Sequence, residues 1–135
     1  VIFIDANIFM YAAGKDGPQK KPCERLLRKV ITSGKANQYY TNAEVLQEIL
    51  HRYRSLKLPE KAFELFDFIM KLGIVVLPVE VEDIVLARKF LEDHPNLSTR
   101  DGVHAAVVVR KGIELIFSYD TDFDFFPGLK RIEPT

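Results

Sequence analysis

Cysteine is almost missing from this chain: Cys23 is the only one in 135 residues. A disulfide framework within one chain is therefore excluded, and Cys23, placed among apolar helix positions, reads as a small core residue of a protein from a reducing compartment. Net charge is missing too. Nineteen Lys and Arg balance nineteen Asp and Glu, so overall charge argues neither for nor against a polyanionic partner. No apolar run approaches the roughly 18 residues that a membrane-spanning helix needs. No charged leader precedes the apolar start at Val1, and no initiating Met is present. A soluble, cytoplasmic protein numbered from inside its natural chain is the expectation.

Several chemical motifs are also lacking. There is no glycine-rich phosphate loop, and no Ser or Cys sits in a nucleophile motif. His51, His94 and His104 do not have metal-ligand spacing; His104 follows Asp101 by three and faces either the same rim or, more ordinarily, the core. Repeats, low-complexity tracts and linkers are absent, so residues 1–135 are expected to form one domain with a core of ordinary size.

What is present is an alternation of strand-like and helical segments. Val1 to Ile4 is a short apolar strand that runs into Asp5. Asn7 to Ala13 predicts one or two helical turns, and Cys23, Leu26, Leu27, Val30 and Ile31 recur at helical spacing. Gln38 to Tyr40 is a strand candidate. Thr41 and Asn42 offer capping oxygens to a helix carrying Val45, Leu46, Ile49, Leu50 and Tyr53. Leu58-Pro59 opens a helix with a wide apolar face (Ala62, Phe63, Leu65, Phe66, Phe68, Ile69, Leu72), enough to cover a partner as well as a core. Ile74 to Leu77 predicts a strand, and a helix with Ile84, Ala87, Phe90 and Leu91 inward follows. Ser98 or Thr99 caps a helix running to Lys111, whose Val103 and Ala105 to Val109 point nearly all round, as a central buried helix requires. Leu115 to Phe117 and a segment near Lys130 to Ile132 are the last strands. Such alternation predicts an α/β fold with a parallel sheet covered by helices on both faces.

Four acids occupy positions that solvation explains poorly. Asp5 and Asp120 each follow a buried strand, and the carboxyl ends of parallel strands face a crevice. Either alone reads equally well as an Asx turn or a helix cap. Asp101 opens the buried helix, where a lone carboxylate costs several kcal/mol unless a cation or a cavity receives it; helix-dipole stabilisation is the plainer reading. Glu44 and Glu48 are four apart on one helix, and periodicity does not choose between them. Carboxylates converging without Cys or His make an oxygen-only site, which suits Mg²⁺ or Mn²⁺ and phosphodiester hydrolysis by a water that the cation activates. Lys15, Lys20 and Lys21 begin a basic stretch that continues to Lys35 and would suit an RNA backbone, although a solvated helix face explains it as well.

Strand-Asp5-x-Asn7, Val45-Leu46-Gln47-Glu48-Ile49, Asp101-Gly102-Val103-His104-Ala105-Ala106 and Ser118-Tyr119-Asp120-Thr121-Asp122-Phe123-Asp124, with Pro127-Gly128-Leu129 beyond, resemble a PIN domain, and most of all the VapC-type toxin ribonucleases. The resemblance spans nearly the whole chain in the family's order. It implies a three-layer α/β/α sandwich around a central, mainly parallel twisted sheet of four to five strands, and Mg²⁺- or Mn²⁺-dependent endonucleolytic cleavage of RNA. It aligns Glu48, and not Glu44, with the family's helical glutamate. By the same alignment Asp5, Glu48, Asp101 and Asp120 are the catalytic, metal-holding acids. Asn7 orients Asp5, Ser118 keeps a hydroxyl where relatives often have Thr, and Asp122 shares or replaces the role of Asp120. A homodimer and a small antitoxin whose tail enters the acidic site are further implications. The competing reading is a PIN-like module that binds RNA or protein without cleaving, as in ribosome assembly. An aspartate-nucleophile phosphatase would need a second aspartate where Asn7 stands. A receiver domain would need one directly after the Ile74 to Leu77 strand.

Overall fold

A computed structural model describes residues Val1–Thr135. Strand β1 (Ile2–Ile4) ends at Asp5, whose carboxylate accepts the Ala6 N–H at 2.8 Å and so caps helix α1 (Ala6–Ala13). Helix α2 (Lys20–Thr32) turns Cys23, Leu26, Leu27 and Val30 inward at the predicted spacing. A 3-10 turn (Ala36–Gln38) leads into β2 (Tyr39–Asn42). Of the two capping candidates Asn42 wins: its side chain accepts the Val45 N–H at 3.0 Å and starts α3 (Ala43–Ser55), while the Thr41 hydroxyl donates to the Ile4 carbonyl. Helix α4 (Pro59–Lys71) begins with the proline, at a position whose N–H would have no helical partner. Strand β3 (Val75–Leu77), α5 (Val81–Asp93), α6 (Thr99–Arg110) and β4 (Leu115–Phe117) follow, then a 3-10 helix (Thr121–Phe125) and β5 (Lys130–Ile132). Ser98, not Thr99, caps α6.

All five strands are parallel, in the order β3-β2-β1-β4-β5. The chain steps outward from β1 through β2 to β3, then crosses back to lay β4 on the other side of β1. Right-handed crossovers consequently place α1 to α4 on one face and α5 and α6 on the other. The packing agrees: α1 touches α2 and α3, α3 touches α4, and α5 lies along α6. The reversal between β1 and β4 opens a crevice at the carboxyl ends of those strands.

Strand β1 lies in the middle, with Phe3 and Ile4 fully buried in a continuous core of 27 residues. Every residue from Asp101 to Val108 of α6 is buried, as a helix apolar on all sides requires. Elsewhere the apolar stripes are narrower than their sequence. Helix α4 buries Ala62, Leu65, Ile69 and the following Leu72 but leaves Phe63 56% and Phe68 37% exposed, and on α2 Ile31 is 56% exposed. Helix α5 turns Ala87 inward and packs Phe90 and Leu91 against the core as expected, but Asp83 takes the inward place expected of Ile84, which is 49% exposed. The cause is an ion pair, since the Arg110 guanidinium donates to buried Asp83 at 2.7 Å and holds that side of α5 against α6. No helix is long and apolar enough to cross a membrane.

Candidate metal centre

Four elements send carboxylates into the crevice. Asp5 arrives from β1, and its backbone N–H donates to Phe117 O at 3.0 Å, which ties the end of β1 to the end of β4. Directly opposite, the buried Ser118 hydroxyl organises the junction. It donates to Asp5 Oδ2 at 2.7 Å and accepts both the Asn7 side-chain amide (3.2 Å) and the Asp120 backbone N–H (3.0 Å). With its lone pairs taken by two N–H groups, the hydroxyl has its proton directed at Asp5. Asn7 therefore braces Asp5 through Ser118, and its own Oδ1 accepts the Tyr119 N–H.

Asp101 enters from the first turn of α6, its N–H donated to the Ser98 capping hydroxyl at 3.2 Å. Asp120 follows β4 and caps the 3-10 helix by accepting the Asp122 N–H at 2.9 Å. Carboxylate oxygens of Asp101, Asp120 and Asp122 lie within 4.8 Å of one another. Glu48 comes from α3 and shares with Asp101 and Asp120 a cavity of about 380 Å³. Burial, the neighbouring Asp120 and the charge of Asp5 push the Asp101 carboxyl up to about 9. Burial also raises Asp5, against the opposing effects of His104 and the Ser118 hydrogen bond. Like charges crowded out of water favour the protonated acid.

His104 is the counterweight. It is fully buried one turn after Asp101, with Nε2 at 3.4 Å from Glu48 Oε1 and 3.8 Å from Asp5 Oδ1. On its other side Nδ1 lies 3.0 Å from the Asn42 Nδ2. Because Asn42 spends its oxygen on the α3 cap, its NH₂ faces the ring. Nδ1 must then accept, and the proton sits on Nε2, aimed at the acids. Burial pulls the imidazole's pKa down, but the Glu48 hydrogen bond and the charges of Asp5 and Glu48 outweigh it. With both nitrogens engaged, His104 has no lone pair for a metal, and the available donors are all oxygen.

The PIN domain family profile matches residues 2–128. Ribonuclease VapC13 of Mycobacterium tuberculosis is 40% identical over 132 residues, covering 98% of this chain and 99% of that protein. The chain belongs to the PIN-domain family, among the VapC proteins. Solved VapC structures share the fold at low identity. VapC20 of Mycobacterium tuberculosis, described as a sarcin-ricin loop cleaving toxin, superposes with a TM-score of 0.81 at 20% identity, over 99% of this chain and 100% of its own. VapBC2 of Rickettsia felis, solved on a DNA fragment from its promoter, gives 0.73 at 16% identity, over 99% and 98%.

In this PIN domain, Glu48 and Glu44 part company: Glu48 faces His104 and the cavity, whereas Glu44 lies 3.9 Å from Arg100 at the rim. Asp122 joins the cluster directly. The capping roles of Asp5 and Asp120 coexist with their place in the crevice, because one oxygen satisfies a local N–H while the carboxylate as a whole is carried to the sheet edge. Lys20 is committed elsewhere, its ammonium donating to Gly14 O at 2.7 Å and lying 3.8 Å from Asp16. Lys20 and Lys21 share a hollow with Asp16 and Arg25, apart from the acids, and Lys15 lines a different groove that includes Asn7. Sequence reasoning missed the bracing role of Asn42. Its only local signal was the cap, and the partner is 62 residues away.

Proposed function

We propose that this chain is a divalent-metal-dependent endoribonuclease, the VapC-like toxin of a toxin–antitoxin pair. The observation that carries the reading is the convergence of Asp5, Glu48, Asp101 and Asp120 from four elements on one crevice, with Asp101 pushed up to about 9. Crowded carboxylates of this kind would be neutralised by a dication. The donors fit Mg²⁺ or Mn²⁺: carboxylates only, no thiolate, and the one imidazole already engaged at both nitrogens. Asp5, Asp101, Glu48 and Asp120 would hold the ion, with Asp122 beside them.

A cation held there supplies positive charge to the scissile phosphate and lowers the pKa of an attacking water. The chain's own residues do the rest. The Ala6 N–H and the Ser118 hydroxyl fix both oxygens of Asp5, so it enters the reaction without reorganising. His104 holds Glu48 and Asp5 in place from behind. Asp101 gives up its proton when the site is filled, which makes loading pH-dependent. The leaving 3′ oxygen takes its proton from solvent.

The antitoxin fits the α4 side. A groove of about 430 Å³ between α1, α2 and α4 is lined by Phe9, Leu27, Leu65 and Phe68, with Glu24, Arg28, Lys61 and Glu64 as a rim of both charges. Exposed apolar surface of this kind is a common mark of a protein partner. A homodimer accompanies this reading.

Incubating the protein with RNA in EDTA and then in excess Mg²⁺ or Mn²⁺ tests the enzyme. Cleavage is expected only with metal, and Asp5→Asn or Asp101→Asn should each lower it at least ~100-fold. Full activity in both variants would reject the mechanism; RNA binding without cleavage under every condition would favour the non-cleaving module.

A further inference from the structure

A second groove leads away from the acids. It runs between α1, α3 and the start of α4, holds about 400 Å³, and is lined by Asn7, Tyr11, Lys15, Arg52, Leu56 and Lys61 among others. Asn7 lines it and is also the residue whose amide donates to Ser118, the hydroxyl that holds Asp5. One wall of the groove is therefore tied to Asp5 through a single hydroxyl.

Its charge is one-sided. Lys15, Arg52 and Lys61 line it and no Asp or Glu does, in a chain whose acids and bases are equal in number. None of the three is in an ion pair, while Lys20, Arg88, Arg100, Arg110 and Arg131 all have acidic neighbours. Lys61 lies 5.5 Å from the centre of the Tyr53 ring, which leaves its charge unneutralised. Tyr11 is 39% exposed and packs edge-on against Tyr119 at 5.2 Å between ring centres. A ring held from behind and open in front is a stacking surface. Leu56 and Leu58 add exposed apolar floor beside the cations.

Unpaired cations spaced along a groove with an aromatic platform are the chemistry of single-strand nucleic acid binding, in which the cations follow phosphates and the bases stack. The volume is in the range of small-ligand sites, enough to receive an unpaired nucleotide. We propose that this groove is the track for an unpaired RNA strand leading to the carboxylates, with Lys15, Arg52 and Lys61 on the phosphates and Tyr11 stacked on a base. The track rests on the ribonuclease reading for its direction, but its affinity for RNA does not depend on metal or turnover. It also replaces Lys20 and Lys21, which face elsewhere, with two residues from helices far along the chain.

The test measures binding and cleavage separately. Fluorescence anisotropy with a short unstructured oligoribonucleotide, in EDTA and over a range of salt, compares the full chain with Arg52→Ala, a Lys15→Ala/Arg52→Ala double variant, Tyr11→Ala and the control Lys71→Ala at the far end of α4. Each removed phosphate contact should lower the slope of log affinity against log salt by about 0.7. The double variant should bind about tenfold more weakly or worse, and Lys71→Ala as wild type. In Mg²⁺ or Mn²⁺, Arg52→Ala and Tyr11→Ala should raise KM and keep kcat at saturating RNA. Wild-type binding and KM in all groove variants would overturn the track while leaving the ribonuclease intact. Equal cleavage of duplex and single-stranded RNA would overturn it too, as would groove variants that lose a polyglutamate peptide but keep RNA. If wild type cleaves nothing, yet groove variants lose metal-free binding, the track stands and the ribonuclease reading falls.

Discussion

His104 stands between Asp5 and Glu48 with both ring nitrogens engaged, and Asn42 sets which one carries the proton. Its effect on the site can be separated from its packing. Glutamine keeps an N–H near the place of Nε2; leucine keeps volume alone and leaves the Asn42 amide without an acceptor. Replacing a residue that orients metal-holding acids typically costs 10- to 100-fold in metal affinity or activity. His104→Leu is expected to fall by roughly that factor and His104→Gln to recover most of it, read from kcat and from Mn²⁺ titration. Equal loss in both variants would make His104 a packing residue only. The sequence put His104 three positions after Asp101, enough to place it near the rim. It did not reveal the tautomer, because Asn42 is fixed by the strand order and not by anything near residue 104.

At the scale of elements, α6 is the carrier of the site, delivering Asp101 and His104 from one buried face. Two features hold it to α5. Gly102 permits close approach, since a Cβ there would lie 3.2 Å from Leu91 Cδ2. Asp83 binds Arg110 at 2.7 Å through one oxygen and accepts the Glu80 N–H at 2.7 Å through the other, closing the capping box of α5. Removing Asp83 strips the cap and ends the ion pair, so Asp83→Ala should cost about 1–2 kcal/mol in urea unfolding. Arg110→Ala should destabilise as well, because it leaves the fully buried Asp83 carboxylate without its cation. A cost under about 1 kcal/mol for Asp83→Ala would mean the pair does not anchor the two helices. Helical periodicity had placed Ile84 inward, and it failed here because an apolar count cannot foresee a paired carboxylate taking the buried face.

For the molecule as a whole, the acidic crevice opposes stability. Asp101 stands at about 9 in the folded chain against an ordinary 3.8, so the folded state holds a proton that the unfolded chain releases. Its contribution is full below about pH 4 and is lost as pH rises through about 9. Asp5 is raised as well and acts with the same sign. Thermal unfolding in EDTA should therefore show stability falling from about pH 5 to pH 9, and Asp101→Asn should flatten that fall and stabilise the metal-free protein at pH 8 by about 1–2 kcal/mol. Mg²⁺ competes with the proton, so its stabilising effect should grow with pH. A metal-free profile indifferent to Asp101→Asn would show that the acids are not coupled.

Much of this protein was local enough to be read from its sequence. The alternation of strands and helices, the proline opening α4, the presence of capping oxygens before α3 and α6 and the all-round burial of α6 depend on residues within a few positions of one another, where periodicity and capping chemistry act. Asp5 and Asp120 were legible as acids at strand ends for the same reason. The tertiary structure decided what meets what. The β3-β2-β1-β4-β5 order brings Ser118 onto Asp5 across 113 residues and Glu48 onto His104 across 56. The same order sets Lys15 beside Arg52 and Lys61 in place of its sequence neighbours. Periodicity states which face of each helix is apolar, but the inward place of Asp83 ahead of Ile84 follows from packing against Arg110 of another helix, which no local pattern contains.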